Sequence, residues 1–450
     1  MKAMIVGTGV LALALALAGG ATMAQDASPA GNYVTREEYQ KLKGQLDTMK
    51  QEMDTLRKER AAQQVQLVQA NKATQDRMQQ EELDKIIDDM QKDIRENRSL
   101  LSGLRSGTTR LLLAGDASAG FTARRGENST FEATFAPLFL WQINERILFE
   151  GALDIAVERN GVGENETATD LTIANISYLV NNNLAITAGL FVVPFSTYHL
   201  HFDPPWINKF PDDPLAFGGN AIAPSSEIGV MGSGGILIGG TRLTYALYVT
   251  NGPSVITDDP NAAGSLDFDN FTDLNNDKAV GGRLGFLPIP ELEVGYSLMR
   301  ASVNPESFTK NVNALLMAGD ANYVKELDWL RGTITLRAEW VWSNVEDVTY
   351  HPAGSSALRF DNDRNGGYAT VAYRPTKADS KVIRNLEFAV RYDSLDVSRK
   401  APDGDFEQRW TFGIDYWLAP NAVIKFAYQV DDKDVGEDQN AFLIQFGLGI

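Results

Sequence analysis

Beyond Thr109 the chain repeats one pattern: apolar and polar side chains alternate over segments of about ten residues or more, each ended by a cluster of turn residues. A period of two puts alternate side chains on opposite faces of a strand. Phe131, Ala133, Phe135, Phe139 and Trp141 oppose Glu132, Thr134 and Ala136, and Ile147, Phe149, Leu153, Ile155 and Val157 oppose Glu150, Asp154 and Glu158. Ile334, Leu336, Ala338, Trp340 and Trp342 oppose Thr335, Arg337 and Glu339, and Leu386, Phe388, Val390 and Tyr392 oppose Glu387, Arg391 and Asp393. Near the end, Trp410, Phe412, Ile414 and Tyr416 oppose Arg409 and Asp415, and Ile424, Phe426, Tyr428 and Val430 oppose Lys425 and Gln429.

About sixteen such segments can be counted, with fourteen or eighteen as alternatives, because Gly232, Gly234, Gly235, Gly239 and Gly240 blur one turn. The reading places that turn after residue 233 and starts a later strand at residue 365. Short connections alternate with long ones, and aromatics such as Trp141, Tyr178, Trp340, Trp410, Tyr416 and Trp417 gather near segment ends. Two-faced segments with that asymmetry and aromatic girdles fit an all-β transmembrane barrel of antiparallel strands, whose apolar faces meet lipid and whose charged faces line water.

The start of the chain agrees with export. Lys2, the apolar run from Met4 to Ala18 and the small residues before Gln25 read as a signal peptide over 1–24, too short for a spanning helix. No later stretch reaches 18 apolar residues, and there are no cysteines in 450 residues, so neither a spanning helix nor disulfides support the exported chain. A closed barrel needs neither, since its backbone groups pair around the cylinder.

Residues 25–107 have a different character. From Arg36 to Leu104 there is no proline, and Leu42, Leu46, Met49, Met53 and Leu56 recur at heptad spacing, as do Leu83, Ile87, Met90, Ile94, Leu101 and Leu104. This reads as an α-helical coiled coil in the periplasm, with Asn97 in the seam, preceding a barrel over 108–450. Such a helix could also tether the membrane to the cell wall, a structural role set against the transport reading.

Charge is unevenly spread: residues 1–107 carry 15 Lys+Arg and 15 Asp+Glu, whereas residues 108–450 carry 26 and 44, so the net charge of −18 belongs to the second part. That excludes nucleic acid as a natural partner and favours cations in any water-filled interior.

The stretch Ala188-Gly189-Leu190-Phe191-Val192-Val193-Pro194-Phe195-Ser196, continued by Phe202-Asp203-Pro204-Pro205-Trp206-Ile207-Asn208-Lys209-Phe210-Pro211, resembles the phosphate-selective porin O and P family, in a branch of unknown substrate. The resemblance implies an outer-membrane porin that passes small hydrophilic solutes by passive diffusion. It also implies a homotrimer among lipid and lipopolysaccharide, and a third loop, roughly residues 196–224, folded into the lumen as a constriction. Selectivity for phosphate in that family rests on lumenal arginines and lysines. Here Arg337, Arg391, Arg409 and Lys425 fall on inward positions, but so do Glu150, Asp154, Glu158, Glu293, Glu339, Asp393 and Asp415, which points to a mixed, cation-leaning field.

Two groups could ligate metal. His199, His201 and Asp203 alternate, and would converge if the backbone there were extended. Asp361, Asp363 and Asn365 match the first half of a calcium loop, although Ala372 stands where a bidentate glutamate is needed; loop-bound calcium is the one cofactor the sequence suggests. Three histidines in the whole chain, with no serine motif near them, give catalysis little support, and no enzyme is expected.

Overall fold

The computed structural model describes residues 110–159, 165–218, 222–268, 276–304, 311–354 and 356–450. The export signal and the coiled coil expected before residue 108 lie outside the described residues. Among the described residues twenty strands form: β1 Arg110–Arg124, β2 Thr130–Gln142, β3 Ile147–Arg159, β4 Asn165–Asn181, β5 Leu184–Val192, β6 Ser226–Ile238, β7 Thr241–Thr250, β8 Ser254–Val255, β9 Leu266–Asp267 and β10 Ala279–Ile289. They continue with β11 Leu292–Ser302, β12 Asn313–Leu327, β13 Gly332–Val345, β14 Thr349–Tyr350, β15 Leu358–Arg359, β16 Asn362–Arg374, β17 Leu386–Val397, β18 Phe406–Ala419, β19 Ala422–Lys433 and β20 Ala441–Gly449.

Sixteen of them close a barrel in which each pairs with the next, from β1 to β7, β10 to β13 and β16 to β20, with β20 pairing back onto β1. The four short strands make two hairpins in the loops above it, β8 with β9 and β14 with β15. The glycine-rich turn falls at Gly239-Gly240, not after residue 233, because β6 continues to Ile238. Glycines contribute no side chain to the alternation, so the pattern fades before the strand does.

Gly189, in the middle of β5, has φ +123°, and a Cβ there would stand 2.3 Å from the Ala174 carbonyl oxygen of β4. Only glycine keeps the strand pair in register at this point.

Alternation is preserved through the wall. On β18, Trp410, Phe412 and Ile414 are exposed on the outer face while Arg409, Thr411, Gly413 and Asp415 are buried on the inner one. On β20, Phe442 and Phe446 are exposed and Ala441 and Leu443 buried. An outer wall of this kind sits in lipid at no desolvation cost, and closure leaves no strand edge unpaired.

The inner face departs from a purely wet lumen. Met299 and Ala301 of β11, Leu316 and Ala318 of β12, and Val341 and Val345 of β13 all point inward and are fully or almost fully buried. They form one apolar core with Phe195, Tyr198, Phe217 and Ile222 of the connection between β5 and β6 and with Val255, Tyr350 and Phe360 of the outer loops. One side of the barrel is therefore plugged by its own loops, and open water is left to the other.

Candidate functional site: a loop seated across the lumen

Residues 193–225 join β5 to β6 but do not stay at the rim. The Phe195 and Tyr198 end of this third loop packs against β13, and its far turn reaches β16 to β20. Glu339 of β13 receives the near end: Thr197 donates to it from its backbone N–H at 3.1 Å and its hydroxyl at 2.8 Å, and the Tyr198 N–H donates at 3.0 Å. Three donors on one buried carboxylate satisfy most of its acceptor capacity.

The far end is held by charge. Arg391 of β17 donates to the Asp212 carbonyl at 3.0 Å, the Asp212 carboxylate at 3.1 Å, the Asp213 carbonyl at 3.1 Å and Asp393 at 2.8 Å. Gln429 of β19 donates to Asp212 at 2.5 Å, and Arg409 of β18 lies 3.5 Å from it. Lys425 donates to the Phe210 carbonyl at 3.0 Å and to Gln445 at 2.8 Å, while Lys209 of the loop pairs with Glu387 at 2.6 Å. Where the loop backbone and rings press on the wall, the wall has glycine: a Cβ at Gly413 would meet Phe210, at Gly447 Pro205, and at Gly449 Trp206.

Of the inward positions read from the sequence, Glu339, Arg391, Asp393, Arg409, Asp415 and Lys425 do face inward, but they are no more than 7 % exposed. They do not line channel water, as the sequence reading has it, because the loop covers them; they are its seat. Arg337 also belongs to the seat, with its guanidinium 3.8 Å from the Phe202 ring and a hydrogen bond to the Ile207 carbonyl at 3.4 Å. Glu293 faces inward beside Arg283, which is bound tightly to Asp320. Trp417 is a further correction. It points inward and donates to Glu387 at 2.7 Å, with Lys209 and Arg374 over its ring, instead of joining an outer girdle.

The open side is β1 to β4. Asp116, Glu132, Glu150, Asp154 and Asp170 occupy inward positions there; Glu132 and Asp170 are exposed, and Asp116, Glu150 and Asp154 are half-buried. Glu158 stands at the outer end of β3, opposite Glu166. Asp116 pairs across with Ala136, the neighbour of Phe135, which is opposite Ile155; Asp154 is directly opposite Asp170. Asp116, Asp154 and Asp170 thus lie in one lateral row. Strands β2, β4 and β5 contain no lysine or arginine.

Asp203, on the loop edge that faces this wall, is exposed to the channel. Partial desolvation by the walls of the narrowed lumen, and then the carboxylates of Asp213, Asp116 and Asp154, push its pKa up to about 7. The constriction is therefore bounded by carboxylates on both sides.

Neither metal expectation finds its geometry. Tyr198–Phe202 is a short π-helical turn, not extended backbone, so His199 and His201 diverge: the His199 Nε2 meets the Phe217 carbonyl at 3.1 Å, whereas His201 is exposed on the side of Glu293. Asp363 and Asn365 belong to the extended β16, and Asp361 immediately precedes it; a strand cannot wrap around a calcium ion. Asp363 instead accepts from Asn344 of β13 at 2.7 Å. Among the described residues no group of three or more acidic, histidine or cysteine side chains is spaced to hold a metal.

The sequence reading missed Lys209, Asp212 and Asp213, although their charges stand out between Pro204 and Pro214. Aspartates and lysine inside an aromatic and proline-rich loop are the signal that such a loop docks on oppositely charged partners.

A closed sixteen-stranded barrel with an apolar outer wall and an inward-folded third loop is the fold of an outer-membrane porin, a channel. Residues 293–444 match the family model described as phosphate-selective porin O and P. Among solved structures the fold is similar to Salmonella typhi OmpF in complex with daunomycin, at 13% identity and TM-score 0.51 over 76% of this chain and 98% of that one. It is also similar to the anion-selective porin from Comamonas acidovorans, at 9% identity and TM-score 0.50 over 76% and 100%. No curated protein matches the chain.

Proposed function

We propose that this porin is a diffusion channel for small hydrophilic solutes that favours cations over anions. One observation carries the reading: the wall left open beside the third loop bears Asp116, Asp154 and Asp170 in a row facing Asp203, while Arg391, Arg409 and Lys425 are covered. Carboxylates around a narrow aqueous passage concentrate cations and repel anions. The phosphate selectivity in the family's description calls for accessible lumenal cations, and here Arg391, Arg409 and Lys425 are engaged with the loop and with acidic and amide side chains of the wall. The reversal potential across a planar bilayer in a KCl gradient tests the reading. A potential of the sign for potassium permeation is expected; a zero or chloride-signed potential would sink it.

The same reading takes the protein as a homotrimer, exported by residues 1–24, with residues 25–107 as a periplasmic coiled coil joining the copies. Deleting residues 33–105 is then expected to leave stepped conductance intact while lowering the temperature at which the oligomer dissociates on a gel. An unchanged dissociation temperature would remove the coiled coil from assembly.

A further inference from the structure

The wall left open by the third loop is not polar along its whole length. At the end of the barrel away from that loop's attachment, β1 to β5 turn Leu112, Leu140, Leu148, Leu179 and Ala185 toward the lumen around a recess of about 520 Å³. Leu112 is 55 % exposed and Leu179 40 %, although the recess lies on the same inner face as Asp116, Glu150 and Asp154. The inner face of a wide channel meets water, and an apolar patch kept in water marks a place where something apolar comes to rest. The polar groups around the recess already have partners. Ser177 and Thr187 hydrogen-bond each other at 2.8 Å, and the Asn144 side chain accepts from the N–H groups of Arg146 and Ile147 at 2.8 and 2.9 Å, which fixes the turn at its edge.

Charge stands at the two ends of the recess and restricts what can lie in it. Arg110 and Arg146 are exposed at the mouth, beside Glu145. At the inner end, Glu150 is directly across from Leu140, which is directly across from Leu112, and it follows Leu148 by two residues on the same face. Residues opposite each other on paired strands are about 5 Å apart, so this carboxylate is within one short alkyl chain of the leucines. Glu150 is half-buried and has no hydrogen bond or ion pair among the described residues. The guanidinium groups at the mouth repel a cationic head from that end and turn it toward Glu150. An amphiphilic anion would keep its head at the open mouth, where a solvated guanidinium holds it weakly.

We propose that this recess is a subsite for amphiphilic organic amines: the apolar chain lies on Leu112, Leu140 and Leu148, and the ammonium group meets Glu150 before passing to Asp154 and Asp116. The inference names a solute class for the cation-favouring passage described above and rests on that reading.

The probes are n-hexylammonium and ethylammonium, alike in charge and different in chain length, compared as blockers of potassium current through the full-length protein in a planar bilayer. Hexylammonium is expected to half-block at about tenfold lower concentration, since each added methylene laid on a half-open apolar wall gains about twofold. Leu112→Asn, at a position already more than half exposed, is expected to cut that ratio to about threefold. Glu150→Gln is expected to raise the half-blocking concentration of both amines about threefold. Heat-dependent gel mobility reports whether each variant folds, and Leu179→Asn takes the place of Leu112→Asn if that variant does not. Equal block by the two amines, a ratio unmoved by the leucine variant, or block unmoved by Glu150→Gln would overturn the inference; hexanoate blocking as well as hexylammonium would overturn its restriction to amines. The KCl reversal potential of the same channels separates the two readings. A potassium-signed potential with no preference for the longer amine defeats this inference alone, whereas a chloride-signed potential defeats the reading beneath it.

Discussion

Arg391→Ala is expected to release the far end of the third loop, raising single-channel conductance and lowering barrel stability together. The guanidinium is 1 % exposed and makes four hydrogen bonds, three of them to Asp212 and Asp213. Without it, Asp212 and Asp393 remain in the seat with one cation fewer, and leaving buried charge uncompensated costs about 3–5 kcal/mol. Moving the loop toward the β1 to β4 side is opposed by like charge, so the displaced loop fluctuates and the current becomes noisier as well as larger. Arg391→Lys keeps the charge but cannot reach Asp212, Asp213 and Asp393 at once, and is expected to fall between wild type and alanine. Conductance histograms and the unfolding midpoint by heat-dependent gel mobility check both halves. An alanine variant with wild-type conductance would show that this loop does not set the width of the channel.

The second large effect is a change of selectivity with pH. Asp203 has its pKa pushed up to about 7, above the ordinary aspartate value, so it is charged above that pH and neutral below it. Raising pH through 7 therefore adds one negative charge to the constriction, and lowering it removes that charge; cation preference rises with pH. A unit charge about 7 Å from a passing ion in water contributes about 0.6 kcal/mol, or roughly threefold in relative permeability. The cation-to-anion permeability ratio obtained from the reversal potential is expected to drop by about that factor between pH 8 and pH 6 at low salt, and by less at high salt, where screening shortens the reach of the charge. Asp203→Asn is expected to show the low-pH value throughout. Asp116→Asn with Asp154→Asn should lower the preference further at every pH. A wild-type selectivity that ignores pH between 6 and 8 would contradict this assignment.

The barrel was legible because a membrane wall needs strict alternation along every strand, and local contrast survives in the sequence wherever one face is apolar and the other charged. It fails where that contrast is missing. The glycines from 232 to 240 hide the end of β6, and the polar outer rim at Asp361 to Asn365 reads as loop although β16 has begun. Met299, Leu316 and Val341 point inward, yet they look no different from lipid-facing residues, since nothing in a single strand says that a loop will cover them. The candidate site was half legible. Inward residues follow from parity, but whether an inward charge meets water or a loop depends on contacts far apart in the chain. Thr197 meets Glu339 across 142 residues, and Phe210 meets Lys425 across 215.

That separation also constrains how the loop can reach its seat. The strands that receive the loop, β13 and β16 to β20, follow it in the chain, so Asp212, Asp213 and the rings of Tyr198, Phe210 and Phe217 have no final partners until those strands are present. Loop capture and the pairing of β20 with β1 draw on the same last stretch of chain. Strands already joined around an empty lumen would have to admit a proline-rich segment from one end, whereas strands closing around it need only fold over. The bore of the channel is thus tied to the completed cylinder, because the loop finds Arg391, Gln429 and Lys425 only where β17 and β19 are in place.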